Sequence, residues 1–173
     1  MPYAKLLKKR NNNKGFTVIE LMVVIAIVAI LGLIGIGPTI RWRANSFVES
    51  AANNLMSDFE RAKIEAVRNG RRVNITFQDS GTYTCYIDVN ENGVYDTDGT
   101  ERLIYNRTPE IGRVNMQINS AAPPFTAVFD PRGFLRNVNQ IVIDLSGTNS
   151  KANLVRQITV NRIGNVSSTA TRN

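Results

Sequence analysis

Chemistry in this chain has to be carried by oxygen atoms and guanidinium groups, because it contains no histidine and a single cysteine, Cys85. The absence of histidine excludes His-based acid–base catalysis, hydrolytic triads and His-ligated zinc. Cys85 has no imidazole to activate it. No P-loop or dinucleotide-binding glycine pattern occurs either, so the reading is of a protein that is not an enzyme. One cysteine forms no internal disulfide. Cys85 therefore reads as a small buried apolar residue, with an intermolecular bridge as the remoter reading.

Two clusters could still bind something. Asp88-Val89-Asn90-Glu91-Asn92-Gly93 opens like a calcium loop, with hard oxygen ligands at alternate positions and a glycine for the sharp turn. Asp88, Asn90, Asn92, Asp96, Asp98 and Glu101 are the candidate ligands. The pattern then departs, since Gly99 stands where the bidentate Glu belongs and Glu101 comes two residues late. A solvated acidic hairpin loop is the favoured reading, with no cofactor, and calcium is the alternative. The second cluster is Arg68, Arg71 and Arg72, a candidate nucleic-acid contact. Against it stands the charge balance. Of the formal +7, five positive charges (Lys5, Lys8, Lys9, Arg10, Lys14) precede residue 15, leaving 16 basic against 14 acidic residues, or +2. That is a weak electrostatic footprint for a DNA binder, and it speaks against a nucleic-acid partner.

The third feature is a junction. A basic leader over 1–15 ends at Lys14-Gly15, and Phe16 opens an apolar run to Gly37 broken by one charge, Glu20. A helix of that run is roughly 33 Å long, enough for a hydrocarbon core of about 30 Å. Basic residues before the span hold that end in the cytoplasm and put the remainder outside. A carboxylate in the bilayer costs on the order of 2.5–3.5 kcal/mol at its centre, less near the interface, so Glu20 requires a reason. The run is too long for the core of a removable signal, and no A-x-A site follows it.

The elements that must position these groups follow in order. Residues 16–37 read as a membrane-spanning helix with a weak point at Gly32, Gly35, Gly37 and Pro38. Over 38–69 the pattern turns amphipathic. Val48, Ala52, Leu55, Phe59, Ala62 and Ala66 share one face, while Glu49, Asn53, Asp58, Glu60, Lys63 and Arg68 fall on others. Asn69-Gly70 reads as a C-cap. From 70 to 173 the period becomes two: Val73, Ile75 and Phe77 alternate with polar neighbours, and further strands are expected at 82–88, 102–105, 114–118, 125–129, 138–145 and 154–161, with a short one near 163–166. Residues 167–173 carry no apolar anchor and are expected to fray. The fold class is α+β, a long N-terminal helix packed on an antiparallel sheet or sandwich head.

Lys14-Gly15-Phe16-Thr17-Val18-Ile19-Glu20-Leu21 resembles the processing site of a type IV prepilin. The resemblance implies cleavage between Gly15 and Phe16 by a membrane prepilin peptidase, which also N-methylates Phe16, and a role for Glu20 in docking into a filament. More loosely, Glu65–Val73, the acidic loop, Phe129-Asp130-Pro131-Arg132-Gly133 and Gly164 resemble landmarks of the GspH/FimT group of minor pseudopilins and minor pilins. That implies a minor pseudopilin of type II secretion, single-pass in the bacterial inner membrane with a periplasmic head, whose partners are the peptidase, other pilins or pseudopilins and membrane lipid. The alternatives are a type IV pilus minor pilin, for pilus assembly or FimT-like DNA uptake, and a static membrane-anchored calcium- or ligand-binding module. The DNA-uptake members carry Gly-Arg-x-Arg near the C-terminus. Here the nearest match is Gly164-Asn165-Val166-Ser167, without either arginine.

Overall fold

The structure is a computed structural model describing residues 15–79, 81–108, 112–119, 121–148 and 152–172. Of the leader expected over 1–15, residues 1–14 lie outside the described residues, as do the side chains of 34–38. The chain divides into two compact units, Met1–Gly37 and Pro38–Asn173. One helix, α1 (Val18–Asn69), contributes to both.

In the first unit Thr17 opens α1 as its N-cap. Its hydroxyl accepts from Glu20 N at 3.3 Å and its carbonyl from Leu21 N at 3.2 Å. The apolar side chains are bare, from Phe16 at 80 % exposure to Leu33 at 76 %. Among the described residues no helix is long and apolar enough to cross a membrane, the described side chains of this run ending at Leu33. The weak point expected at Gly32–Pro38 does not interrupt α1. A proline costs a helix about 3 kcal/mol, which the hydrogen bonds of about fourteen turns outweigh.

In the second unit the amphipathic stripe is buried as the spacing requires. Val48, Ala52, Leu55, Phe59, Ala62 and Ala66 are all at most 1 % exposed. Eight strands follow, β1 (Arg72–Phe77), β2 (Tyr83–Asp88), β3 (Arg102–Arg107), β4 (Val114–Ile118), β5 (Phe125–Phe129), β6 (Gln140–Gly147), β7 (Leu154–Asn161) and β8 (Val166–Arg172), and the stripe joins one core with residues of the first seven, Val166 of β8 packing against it. The strands form two four-stranded antiparallel sheets, ordered β3-β2-β1-β5 and β4-β6-β7-β8. Gly70 ends the helix at φ 60°, with Arg71 N bonded back to Ala66 O at 3.3 Å, so the expected cap is formed.

Two expectations are corrected here. Residues 166–172 do not fray, because β8 pairs with β7 along the ladder from Leu154↔Arg172 to Val160↔Val166. Backbone hydrogen bonds hold this edge without apolar side chains, helped by Arg156 Nη1 donating to Ser168 Oγ at 3.1 Å. Asp58 is not on a solvent face but 4 % exposed. Spaced three after Leu55 and four before Ala62, it sits at the rim of the stripe. Its carboxylate accepts from Tyr83 Oη at 2.8 Å and Arg107 Nε at 3.2 Å, and its carbonyl from Tyr105 Oη at 2.8 Å. The helix is thus pinned to β2 and β3 by polar bonds as well as by packing.

Asp58→Ala should leave the buried Tyr83 hydroxyl without an acceptor and cost roughly 1–3 kcal/mol of stability. Arg68→Ala, at a 75 % exposed side chain, should stay within about 0.5 kcal/mol. Urea unfolding of the detergent-solubilised chain measures both, and a neutral Asp58→Ala would show that the bond contributes nothing.

Candidate functional site

The Gly15–Phe16 junction lies outside regular secondary structure, immediately before the Thr17 cap. Phe16 is solvent-bare, and a Cβ built on Gly15 meets nothing within 4 Å. Nothing inside the chain therefore asks for glycine at 15, so any demand for a small residue comes from whatever grips the junction. Glu20 is exposed in the first turn of α1, the end of a helix where the peptide dipoles favour an acid.

The acidic loop between β2 and β3 spends its oxygens internally. Asp88 Oδ2 accepts from Asn74 Nδ2 at 2.8 Å and Gly93 N at 3.0 Å. Glu101, 6 % exposed, takes Val89 N at 3.1 Å and Asp96 N at 3.0 Å. Asp96 Oδ2 receives Asn90 Nδ2 and Asn92 Nδ2 at 2.7 and 3.0 Å, while Asp98 caps Thr100. That last contact, with the Thr100 hydroxyl first, lowers the Asp98 pKa. Two buried oxygens, Asp88 Oδ1 and Asn74 Oδ1, have no protein partner, well short of the 6–8 ligands calcium takes. Among the described residues no three acidic or thiol side chains group as a metal site.

The three candidate arginines each have a partner within the chain, though Arg68 and Arg71 are exposed. Arg72 Nη2 meets Glu91 Oε2 at 2.5 Å, Arg71 Nη1 donates to Val89 O at 3.3 Å, and Arg68 lies 3.9 Å from Glu65. Arg71 and Arg72 therefore tie the helix exit to the acidic loop. Cys85 is fully buried, and burial pushes its thiol up to about 12 from 9.0, which removes it from thiolate chemistry at neutral pH. Burial first and the Asp58 carboxylate second push the Tyr83 hydroxyl up as well. Sequence reasoning missed the links from helix to head made by Asp58, by Lys63, whose Nζ donates to Gly164 O at 3.0 Å, and by Glu49, paired with Arg156. The bond from Arg156 lowers the Glu49 pKa. Spacing marks these residues as non-core; only the tertiary fold supplies their partners, 25 to 49 positions away for Asp58 and more than a hundred for Lys63 and Glu49.

Millimolar calcium should leave the thermal midpoint of the chain unchanged, since a ligand stabilises only by binding the folded state. A rise in midpoint that Asp88→Ala abolishes would show that the loop opens to take the ion.

The sequence family described as Type II transport protein GspH matches residues 51–164, and the prokaryotic N-terminal methylation motif matches residues 10–36. No curated protein matches the chain in sequence. Among solved structures, the type IV minor pilin FimU of Pseudomonas aeruginosa is similar with a TM-score of 0.55 at 15 % identity, over 70 % of this chain and 87 % of that one. The minor pseudopilin EpsH from the Type 2 Secretion System of Vibrio cholerae is similar with a TM-score of 0.55 at 11 % identity, over 71 % of this chain and 96 % of that one. At these identities the likeness is one of fold, a pilin-like helix with an antiparallel head. With about two-thirds of its length matched by the family, from Ala51 in the helix to Gly164 after β7, the chain belongs to the GspH family of type II transport proteins.

Proposed function

We propose that this chain is a minor pseudopilin, stored in a bacterial inner membrane and drawn into the pilin-like filament of a type II secretion system. The observation that carries the reading is the family match over 51–164 beside the methylation motif over 10–36. Its role is mechanical and positional, not enzymatic. The exposed apolar side chains of Phe16–Leu33 suit lipid first and neighbouring helices afterwards, and the head faces the periplasm. A type IV pilus minor pilin is the second reading, favoured by the likeness to FimU.

Processing and assembly turn on three residues. Cleavage after Gly15 frees the Phe16 amine, which stays cationic after N-methylation. An intramembrane carboxylate is tolerated when it meets a positive partner, and Glu20 lies one helical turn beyond that amine. The amine of a neighbouring subunit can take the same place, which rewards correct axial register. Prepilin peptidase and other pseudopilins are accordingly the partners.

The intact mass of the purified protein should correspond to a chain starting at Phe16 with one added methyl group. A different N-terminus would remove the processing assignment. Glu20→Leu should still insert and be cleaved yet be depleted from sheared filaments on immunoblots, with Glu20→Gln intermediate. Wild-type incorporation of Glu20→Leu would show that the carboxylate does not guide docking.

A further inference from the structure

Alternation gives the sheet β3-β2-β1-β5 two different surfaces. Val73, Ile75 and Phe77 of β1, with Tyr83 and Cys85 of β2, join the core with the helix stripe. Thr76, Thr84 and Tyr86 therefore lie on the opposite face. Tyr86 is 1 % exposed without belonging to that core, because the loop after β2 folds back over it. Its hydroxyl donates to Gly93 O at 2.8 Å, and its ring centroid lies 5.3 Å from that of Tyr95. The internal bonds of the acidic loop thus hold a wall against the outer face of the sheet.

Between this wall and the sheet runs an open groove of about 420 Å³, within the range of small-molecule sites, about 300–1,000 Å³. Its floor is one cross-strand row in which Thr84 stands between Asn106 and Thr76, and Thr126 continues the row on β5. Gln78 closes the floor just past β1, and Val94, Tyr95 and Leu103 form the sides. Val94 and Leu103 are 62 % and 43 % exposed, so the sides offer open apolar surface. Among the described residues no charged side chain lines the groove, in a chain that is 20 % charged. The floor is only loosely bonded within itself. Thr76 and Thr126 share a bond at 3.0 Å, while Thr84 Oγ1 donates to Asn106 Oδ1 at 3.5 Å, the limit of such a contact. The Asn106 amide nitrogen and the Gln78 side-chain amide have no partner among the described residues. The strand backbone beneath is spent in the ladders, so side chains alone meet whatever enters.

These properties select a ligand. A charged group would lose its water and find no counter-ion. A purely apolar molecule would strand the hydroxyls and amides of the floor. A peptide segment finds its unpaired backbone partners along the edge strand β3, not over strands already laddered. An uncharged saccharide satisfies both halves of the groove. Its hydroxyls donate and accept as the floor does, and its C–H face packs against Tyr95, Val94 and Leu103.

We infer that the groove between the outer face of β3-β2-β1 and the loop at Gly93–Tyr95 binds an uncharged saccharide, with Tyr95 as its stacking platform and Asn106 and Gln78 as its hydrogen-bonding groups. The site lies wholly within the head. It does not depend on how the chain is anchored or on which filament it enters.

The full chain, in a detergent without a sugar headgroup, would be titrated with cellobiose, maltose and N,N′-diacetylchitobiose and followed by saturation-transfer NMR. The charged control is the glucuronyl-N-acetylglucosamine disaccharide, similar in size but anionic. At least one neutral sugar should bind saturably, and the anionic one should bind more weakly. For the sugar that binds, Asn106→Ala and Gln78→Ala should each weaken affinity about fivefold, the worth of one hydrogen bond. Tyr95→Ala should weaken it about tenfold, and Tyr95→Phe, which keeps the ring, should restore it. Asn106 and Gln78 are exposed, so those two variants carry the test if near-UV dichroism shows that Tyr95→Ala disturbs the loop. Three results overturn the site: no saturable binding of any neutral sugar, tighter binding of the anionic disaccharide, or affinity unchanged by Asn106→Ala and Gln78→Ala. Saturable binding of the blocked peptide acetyl-Thr-Val-Thr-amide, with none of the sugars, would give the groove to a polypeptide and overturn it equally.

Discussion

The head depends on a single helix face. Its two sheets share no strand, and among the described residues of the head the one bridge outside the named strands is the pairing of Phe129 with Leu135. What unites them is the stripe from Val48 to Ala66, which enters one core with residues of both. Phe59 is central, fully buried with its ring 6.2 Å from that of Phe77 and 6.4 Å from that of Phe129. Removing such a side chain from a core costs roughly 3–5 kcal/mol, a large part of the stability of a small domain. Around the stripe, polar links fix how the helix is turned. Asp58 and Glu65 reach β2 and β3, while Asn45, Glu49 and Lys63 reach β7 and the turn after it.

That attachment is completed at the far end by two glycines. Gly164 has φ +71°, and a Cβ there would fall 2.4 Å from the carbonyl oxygen of Gly133. The aliphatic stem of Lys63 lies over both positions, within 3.1–3.4 Å of where their Cβ atoms would be, and its ammonium bonds Gly164 O. The β7–β8 turn and the Asp130–Phe134 turn therefore close on the helix where no larger residue fits. Asp130 secures its turn by accepting from Arg132 N and Phe134 N at 2.9 and 3.0 Å. Burial works against its ionised form, and these bonds, with the Arg132 side chain, outweigh it and hold the carboxyl below its ordinary range. That contribution is present above the usual Asp pKa and fades as pH falls through the lowered one.

Much of this was legible in the chain. Period-two runs placed β4, β5 and β7 at the residues observed, because their alternation directly encodes one buried face. The stripe was legible for the same reason at period 3.6. β8 was not, since its stability comes from a backbone ladder that carries no side-chain signature. Asp58 was not either, because a carboxylate at a stripe's edge reads as surface until the tyrosines that cover it are known. At the N-terminus the order of residues was informative where the geometry is plain: Gly15 has open space around it, so nothing among the described residues asks for glycine there.

The central claim is that this helix and head serve protein export and not a surface pilus. A strain lacking the chain, complemented with it in parallel, should retain a secreted enzyme in the periplasm while its surface pili remain. Enzyme activity in medium and periplasm, with pili counted in the same cultures, is the direct measurement. Normal export with loss of pili would contradict the account and place the chain in the type IV pilus.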